Sequence, residues 1–170
     1  MMTGEGAHTA IVIAGGNVGD RERLLSEAFR LLGERAGEVV KISRRFRSEA
    51  WGFSGDEFLN AAAELRTKLE PEELLDAIHE IERELGRDRS AEAETKRQSG
   101  ERYASRTMDI DILFYDDLVM NSERLTIPHP RIAERLFVLE PLADIAAERV
   151  HPVAGVTVRE LLERFVNRKG

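Results

Sequence analysis

The apolar residues of this chain recur with two different periods, and the order in which those periods alternate restricts the fold more tightly than any other feature. Residues 9–14 (TAIVIA) form a short run rich in β-branched side chains that stops at Gly15 and Gly16, as a buried strand does. Beyond Asp20, which can cap a helix, Leu24, Leu25, Ala28, Leu31 and Leu32 repeat at helical spacing as far as Gly33. Residues 39–47 read as a second strand with Val40, Ile42 and Arg44 on one face. Residues 60–67 read as a third, after the turn-rich stretch at 48–57 (SEAWGFSGDE). Pro71 opens a second helix: Glu72 and Glu73 suit its positive end, Leu74, Leu75, Ile78, Ile81 and Leu85 make its apolar stripe, and Gly86 stops it. Residues 108–115 (MDIDILFY) form the fourth strand. A turn-helix region lies around residues 128–135. The last helix opens with a Thr157–Glu160 capping box and buries Val158, Leu161, Leu162 and Phe165.

Strand, helix, strand, strand, helix, strand is the split βαβ order. It predicts an α+β, ferredoxin-like fold, an antiparallel sheet with helices packed on it and extra helices at the C-terminal end. At 170 residues the chain has the length of a single domain, 1–170, in which 1–8 read as a mobile tail. The long polar segment 87–105 reads as a lid loop. Composition matters mainly for what it excludes. A formal net charge of -7 disfavours any nucleic-acid partner. The absence of cysteine removes disulfides, thiolate metal sites and cysteine nucleophiles. No apolar run approaches the ~18–20 residues of a membrane span, and no secretory segment follows the start, so a cytoplasmic protein without a membrane partner is expected.

The stretch 106–115, RTMDIDILFY, carries the strongest chemical signal. Residues two apart in a strand project from the same face, roughly 6–7 Å apart, so Asp109 and Asp111 point together while Ile110 and Ile112 point the other way. Paired carboxylates repel and lose hydration unless a cation neutralises them, and oxygen ligands completed by phosphates are how Mg2+ is held. The plainer alternative is the solvated face of an amphipathic edge strand. Arg106 lies next to the pair, and Arg87, Arg89, Lys96, Arg97 and Arg102 precede it, interleaved with Asp88, Glu92, Glu94 and Glu101. Cations beside guanidinium groups are what transfer of phosphoryl groups requires. Residues 15–19 (GGNVG) suit a tight strand-to-helix turn better than a phosphate cradle, and no GK[ST] exists. His8, His79, His129 and His151 have no zinc spacing; His129 and His151 adjoin prolines and read first as turn-stabilising. Trp51, Phe53 and Phe58 flank the turn before Asn60, where a planar heterocycle could stack and an amide read its edge.

Taken together, GGNVGDR at 15–21, FLNAAAEL at 58–65, IERELGRDR at 81–89, RTMDIDILFYDD at 106–117 and IPHPRIAERLFVLEPLADIA at 127–146 resemble the 6-hydroxymethyl-7,8-dihydropterin pyrophosphokinase family of folate biosynthesis. The resemblance implies transfer of the diphosphate of ATP, in one step, to a pterin hydroxymethyl group, with release of AMP. It implies that Asp109 and Asp111 hold two Mg2+ ions and that Arg87 and Arg106 reach the phosphates. It places His79, Glu82, Arg89, Arg102, Tyr103, Ile112, Arg124, Thr126, His129 and Arg135 at the ATP site. Phe58 and Phe137 would sandwich the pterin, with Asn60 and the backbone near Ser48 and Trp51 reading its edge. A monomer is expected. The chain departs from the family pattern at Gly16, where serine is usual, and at Ser48-Glu49, where Thr-Pro is frequent. Trp51 stands where a smaller apolar residue is common, Tyr103 and Ser105 where Trp and Pro stand, and segment 90–101 is longer. A Mg-dependent nucleotidyltransferase, which would release pyrophosphate, and a non-catalytic ferredoxin-like ligand-binding module are the alternative readings.

Overall fold

The computed structural model describes residues 7–17, 20–48, 58–86 and 108–169. In chain order these form β1 (His8–Gly16), α1 (Arg21–Arg35), β2 (Glu38–Ile42), β3 (Phe46–Ser48), β4 (Phe58–Thr67), α2 (Pro71–Glu84) and β5 (Asp109–Tyr115). A small hairpin follows, β6 (Met120–Asn121) with β7 (Thr126–Ile127), then a 3-10 turn (Ile132–Glu134), α3 (Leu136–Ala146) and α4 (Val158–Lys169). The sheet order is β2-β4-β1-β5 with every pairing antiparallel, and β3 adds to β4 beside β2. This is the ferredoxin-like arrangement expected from the element order.

β1 shows why the sheet is covered on both sides. From Ala10 to Gly16 it is buried throughout, the pattern of a strand with two packed faces. Ala10, Val12 and Ala14 face α1 and α2; Ile11 and Ile13 face α3 and α4. β5 obeys the same alternation until a bulge: Val12 pairs with Ile112 but Ile11 pairs with Phe114, leaving Leu113 as the extra residue. Asp109 and Asp111 therefore share a face with Leu113 and, beyond the bulge, with Phe114, whereas Tyr115 turns back towards α1 and α2.

Several expectations require correction. His8 is not tail: it begins β1, and its Nδ1 lies 2.7 Å from Asp116 Oδ2, while the Thr9 N–H donates to Asp116 Oδ1 at 2.8 Å. α1 runs through Gly33 to Arg35, and the stop falls at Gly37, where any Cβ would run into the Arg66 carbonyl oxygen. The expected strand over 39–47 is two strands. At Ser43 the hydroxyl takes the place of a backbone carbonyl, accepting the Ala62 N–H at 2.9 Å and donating to Arg44 O at 2.7 Å, so the chain leaves regular pairing. Val40 and Ile42 are 42% and 45% exposed, and they do not share a face: Val40 is the extra residue of a bulge, with Lys41 opposite Glu64 and Ile42 opposite Ala63. α3 was not among the predicted elements. Pro141 sits inside it and it is apolar nearly all round, so it shows neither an unbroken helical signal nor a stripe. Around 128–135 only the 3-10 turn forms. The last helix starts as expected, with the Glu160 N–H donating to Thr157 Oγ1 at 3.1 Å. Val158 and Leu161 are buried and Leu162 and Phe165 half-buried.

Candidate active site

The register of the sheet assembles the site. Asn60 of β4, Gly15 of β1 and Asp109 of β5 stand in one row, and Ala62, Ile13 and Asp111 in the next. Residues paired across antiparallel strands project to the same side, so both aspartates, Gly15 and Asn60 look out from the face that α3 covers. α3 begins only at Leu136, which leaves this end of the face open; Phe137 and Val138 in its first turn overhang it. The result is a cleft of about 860 Å³ lined by Ile13, Gly15, Ser48, Phe58, Asn60, Asp109, Asp111, Leu113, His129, Arg135, Phe137 and Val138.

Gly15 is required here. A Cβ would collide with Asn60 Oδ1, and the Asn60 Cγ would stand 3.3 Å away. Asn60 is almost fully buried and its orientation is fixed, Nδ2 donating to Ser48 Oγ at 2.8 Å and to Phe46 O at 3.4 Å. Its amide oxygen is left beside Gly15, an acceptor at the cleft floor. Arg135 lies over the Phe137 ring, 5.6 Å from its centroid.

A second cleft, about 810 Å³, lies along the outer edge of β5 between α2 and the β6–β7 hairpin. Its lining includes Leu75, His79, Glu82, Ile110, Ile112, Ser122, Glu123, Arg124, Leu125, Thr126 and Pro130. Asp109, Asp111 and His129 line both clefts. The carboxylate pair thus stands in the wall where two cavities meet.

His129 is biased towards its neutral form. Burial pushes its pKa down, with the Arg135 and Arg131 guanidinium groups acting in the same direction and Asp109 opposing them. Its Nδ1 accepts the Arg131 N–H at 3.1 Å, so the neutral ring carries its proton on Nε2. Its backbone N–H donates to Leu113 O at 3.0 Å and ties the loop to β5. His151 is turn-stabilising, as its neighbouring proline suggested: Nδ1 accepts the N–H groups of Val153 at 3.2 Å and Ala154 at 3.0 Å. Burial lowers its pKa as well. His8 lies away from both clefts. At the rim of the second cleft Arg124 pairs with Asp76 and Glu72 of α2, and Thr126 Oγ1 donates to Asn121 Oδ1 at 3.0 Å. Glu82 is buried in α2, and its Oε2 accepts the Ile110 N–H at 2.8 Å.

Of the site residues read from the sequence, Ser48, Phe58, Asn60 and Phe137 line the first cleft with Arg135; His79, Glu82, Ile112, Arg124 and Thr126 line the second. Asp109, Asp111 and His129 join them. Trp51, Phe53, Arg87, Arg89, Arg102, Tyr103 and Arg106, and the lid expected at 87–105, lie outside the described residues. Sequence reasoning missed Gly15, Ile13, Leu113 and Val138 as cleft residues. Gly15 stood in a motif read only as a turn; its need to be glycine comes from Asn60 on a neighbouring strand, which no local pattern reveals.

Among the described residues no three His, Asp or Glu side chains converge as a ready-made metal cage. Two carboxylates and no nitrogen or sulfur donors fit Mg2+, which keeps most of its octahedral shell for water and substrate phosphates. Among the same residues no helix is long and apolar enough to cross a membrane.

Residues 11–147 match the family model described as 7,8-dihydro-6-hydroxymethylpterin-pyrophosphokinase. The chain is 39% identical over 158 residues to a 2-amino-4-hydroxy-6-hydroxymethyldihydropteridine pyrophosphokinase of Synechocystis, covering 92% of the chain and 76% of that protein. It is 40% identical over 141 residues to the protein of the same name from Bacillus subtilis, covering 82% and 78%. The folic acid synthesis protein fol1 of Pneumocystis carinii is 36% identical over 154 residues; there the chain spans 90% of its own length but only 20% of the relative's. In fold it is similar to the Plasmodium falciparum HPPK-DHPS crystallised with pteroate, with a TM-score of 0.73 at 16% identity, over 95% of this chain and 43% of that one.

Proposed function

Because the chain belongs to the 7,8-dihydro-6-hydroxymethylpterin-pyrophosphokinase family, we propose that it moves the diphosphate of ATP intact onto the hydroxymethyl group of 6-hydroxymethyl-7,8-dihydropterin, giving the pterin diphosphate and AMP for folate biosynthesis. The observation that carries this reading is the joint between the clefts. A reaction between two substrates needs each in its own cavity with the reacting ends meeting at one electrostatic centre, and Asp109 and Asp111 occupy that meeting point.

The work divides by cleft. In the first, Phe58 and Phe137 offer aromatic faces for a planar pterin. The fixed Asn60 amide, with Ser48 behind it, reads the heterocycle's edge. In the second, His79, Glu82, Ile112, Arg124 and Thr126 receive the nucleotide. Asp109 and Asp111 hold Mg2+, two ions on this reading, which supplies charge neutralisation on the phosphoryl oxygens and makes the substrate hydroxyl more acidic. His129, neutral and carrying its proton on Nε2, donates a hydrogen bond where the phosphates cross from one cleft to the other, and Arg135 adds a fixed positive charge on the pterin side. The preorganised donors cost no rearrangement when charge develops. A monomeric working unit in the cytoplasm is part of the same reading.

The test is incubation with ATP, Mg2+ and 6-hydroxymethyl-7,8-dihydropterin followed by identification of the nucleotide product. AMP in step with pterin diphosphate is expected. Release of inorganic pyrophosphate would identify a nucleotidyltransferase instead, and no consumption of ATP a binding module.

A further inference from the structure

Among the described residues β5 is an edge strand, paired with β1 alone. Amide groups on the free side of an edge strand ordinarily go to water, and such strands are the most easily deformed part of a sheet. At Ile110, between the two aspartates, the amide goes elsewhere: its N–H donates to Glu82 Oε2 at 2.8 Å. Glu82 is 4% exposed and sits on α2 one residue after Ile81, which is fully buried in the core. A carboxylate is retained in such a place only where strong hydrogen bonds offset its lost hydration, and a bond from a backbone amide to an ionised acceptor is among the strong ones.

We propose that Glu82 is a positioning residue: it takes up the outward amide of Ile110 as a neighbouring strand would and fixes the Ile110 peptide, and with it the spacing and direction of Asp109 and Asp111. The inference rests on the pyrophosphokinase reading for the purpose of the pair, but the bond itself does not. Resemblance places Glu82 among residues that touch ATP, and it lines the second cleft. The bond to Ile110 gives it a further task, acting on the phosphates through the backbone that carries the metal-binding carboxylates. A rigid β5 matters because two carboxylates that must share cations lose binding when their separation wanders.

Amide hydrogen exchange at Ile110, read by NMR, tests the bond directly. Mg2+ titration in the presence of a non-hydrolysable ATP analogue, followed at the Asp109 and Asp111 amides, tests its purpose without turnover. In Glu82→Ala, exchange at Ile110 is expected to accelerate by on the order of tenfold or more, as for loss of one hydrogen bond to a charged group, while Val12 and Ala14 of β1 keep their protection. The Mg2+ concentration at half-saturation should rise severalfold, and AMP formation should fall chiefly in kcat. Glu82→Gln, which keeps an acceptor oxygen, should restore Ile110 protection and most of the lost Mg2+ affinity. If the alanine variant does not fold, Glu82→Met fills the same buried volume without an acceptor and is compared instead. A wild-type Ile110 amide that exchanges freely, unchanged Mg2+ affinity in the acceptor-less variant, or a glutamine variant that recovers Ile110 protection but not Mg2+ affinity would each overturn the proposal. Absence of AMP from the wild-type reaction would sink the functional reading alone, since the exchange and titration arms do not depend on it.

Discussion

On the sheet face beneath α1 and α2 the strands present Ala10, Val12, Ala14, Ala61, Ala63 and Leu65, all fully buried. Small side chains there let Leu25 and Leu32 of α1 and Leu74, Ile78 and Ile81 of α2 pack close to the backbone along the whole sheet. On the opposite face β1 and β5 present Ile11, Ile13, Leu113 and Phe114 under α3 and α4, but only at one end. At the other end the row changes to Gly15, Asn60, Asp109 and Asp111, and the face opens into a cleft. One strand thus serves two purposes by alternation: its even positions close a core, and its odd positions pass from core to chemistry within a few residues. The first face can be optimised for packing because nothing must enter it; the second sets two carboxylates side by side at an open cavity, as a site that receives ligands must.

The largest effect that would break this division concerns the aspartates. Asp109→Ala or Asp111→Ala should lower AMP formation by about a thousandfold or more, the several kcal/mol that a metal site contributes to a transition state. The free energy of unfolding should change by no more than the ~0.5 kcal/mol of a surface change, with a correspondingly small shift in melting. Melting that fell as far as that of a core variant would merge the two faces. The converse comes from Leu32→Ala on the closed face, which should cost about 2–5 kcal/mol by denaturant unfolding while each folded molecule keeps its turnover. A Leu32→Ala enzyme that is stable but inactive would show that the faces are not separable.

The closed face was legible in the sequence because its signals are local. Helical spacing gave the stripes of α1 and α2, and β-branched runs gave β1 and β5. On the open face the i, i+2 spacing of Asp109 and Asp111 was equally local, but the rest was not legible, because its features arise between elements. α3 hid behind Pro141 and an all-apolar surface; the split of 39–47 turns on a hydroxyl of Ser43 reaching the backbone of Ala62. The bulge at Leu113, which brings Leu113 and Phe114 to one side, is a matter of register with β1. Phe58 was read from its place beside the turn before Asn60, but its pairing with Phe137, 79 positions away in sequence, was reached only through family resemblance, as was the nucleotide set. Even then the resemblance could not say that the two clefts share a wall.

Gly15→Ala sharpens the comparison at the cleft floor. The added methyl meets Asn60, and overpacking of a well-fitted site costs roughly 1–3 kcal/mol. The loss should appear mainly as weaker pterin binding in calorimetry, because Asn60 must swing away from Ser48. Unchanged pterin affinity would mean that Asn60 does not read the substrate.

The smallest effect separates the faces by pH. Burial and the neighbouring guanidinium groups hold the His129 pKa below its ordinary 6.5, so the folded state binds fewer protons at this residue than the unfolded chain does. Stability therefore rises with pH across the interval between the two values, is fully present above about 6.5, and is lost as pH falls through that interval. His151, also lowered by burial, contributes in the same direction, so the wild-type slope alone cannot assign it. Urea unfolding of wild type and His129→Gln from about pH 7.5 down to about 5, across the ordinary histidine range, isolates the contribution. The glutamine variant should show a shallower fall, with its stability nearer to wild type at the acid end than at the neutral end. Parallel curves would mean that His129 takes up its proton as readily in the folded protein as in the unfolded chain. The joint between the two clefts would then be wetter, and its histidine more often charged, than the burial of its ring implies.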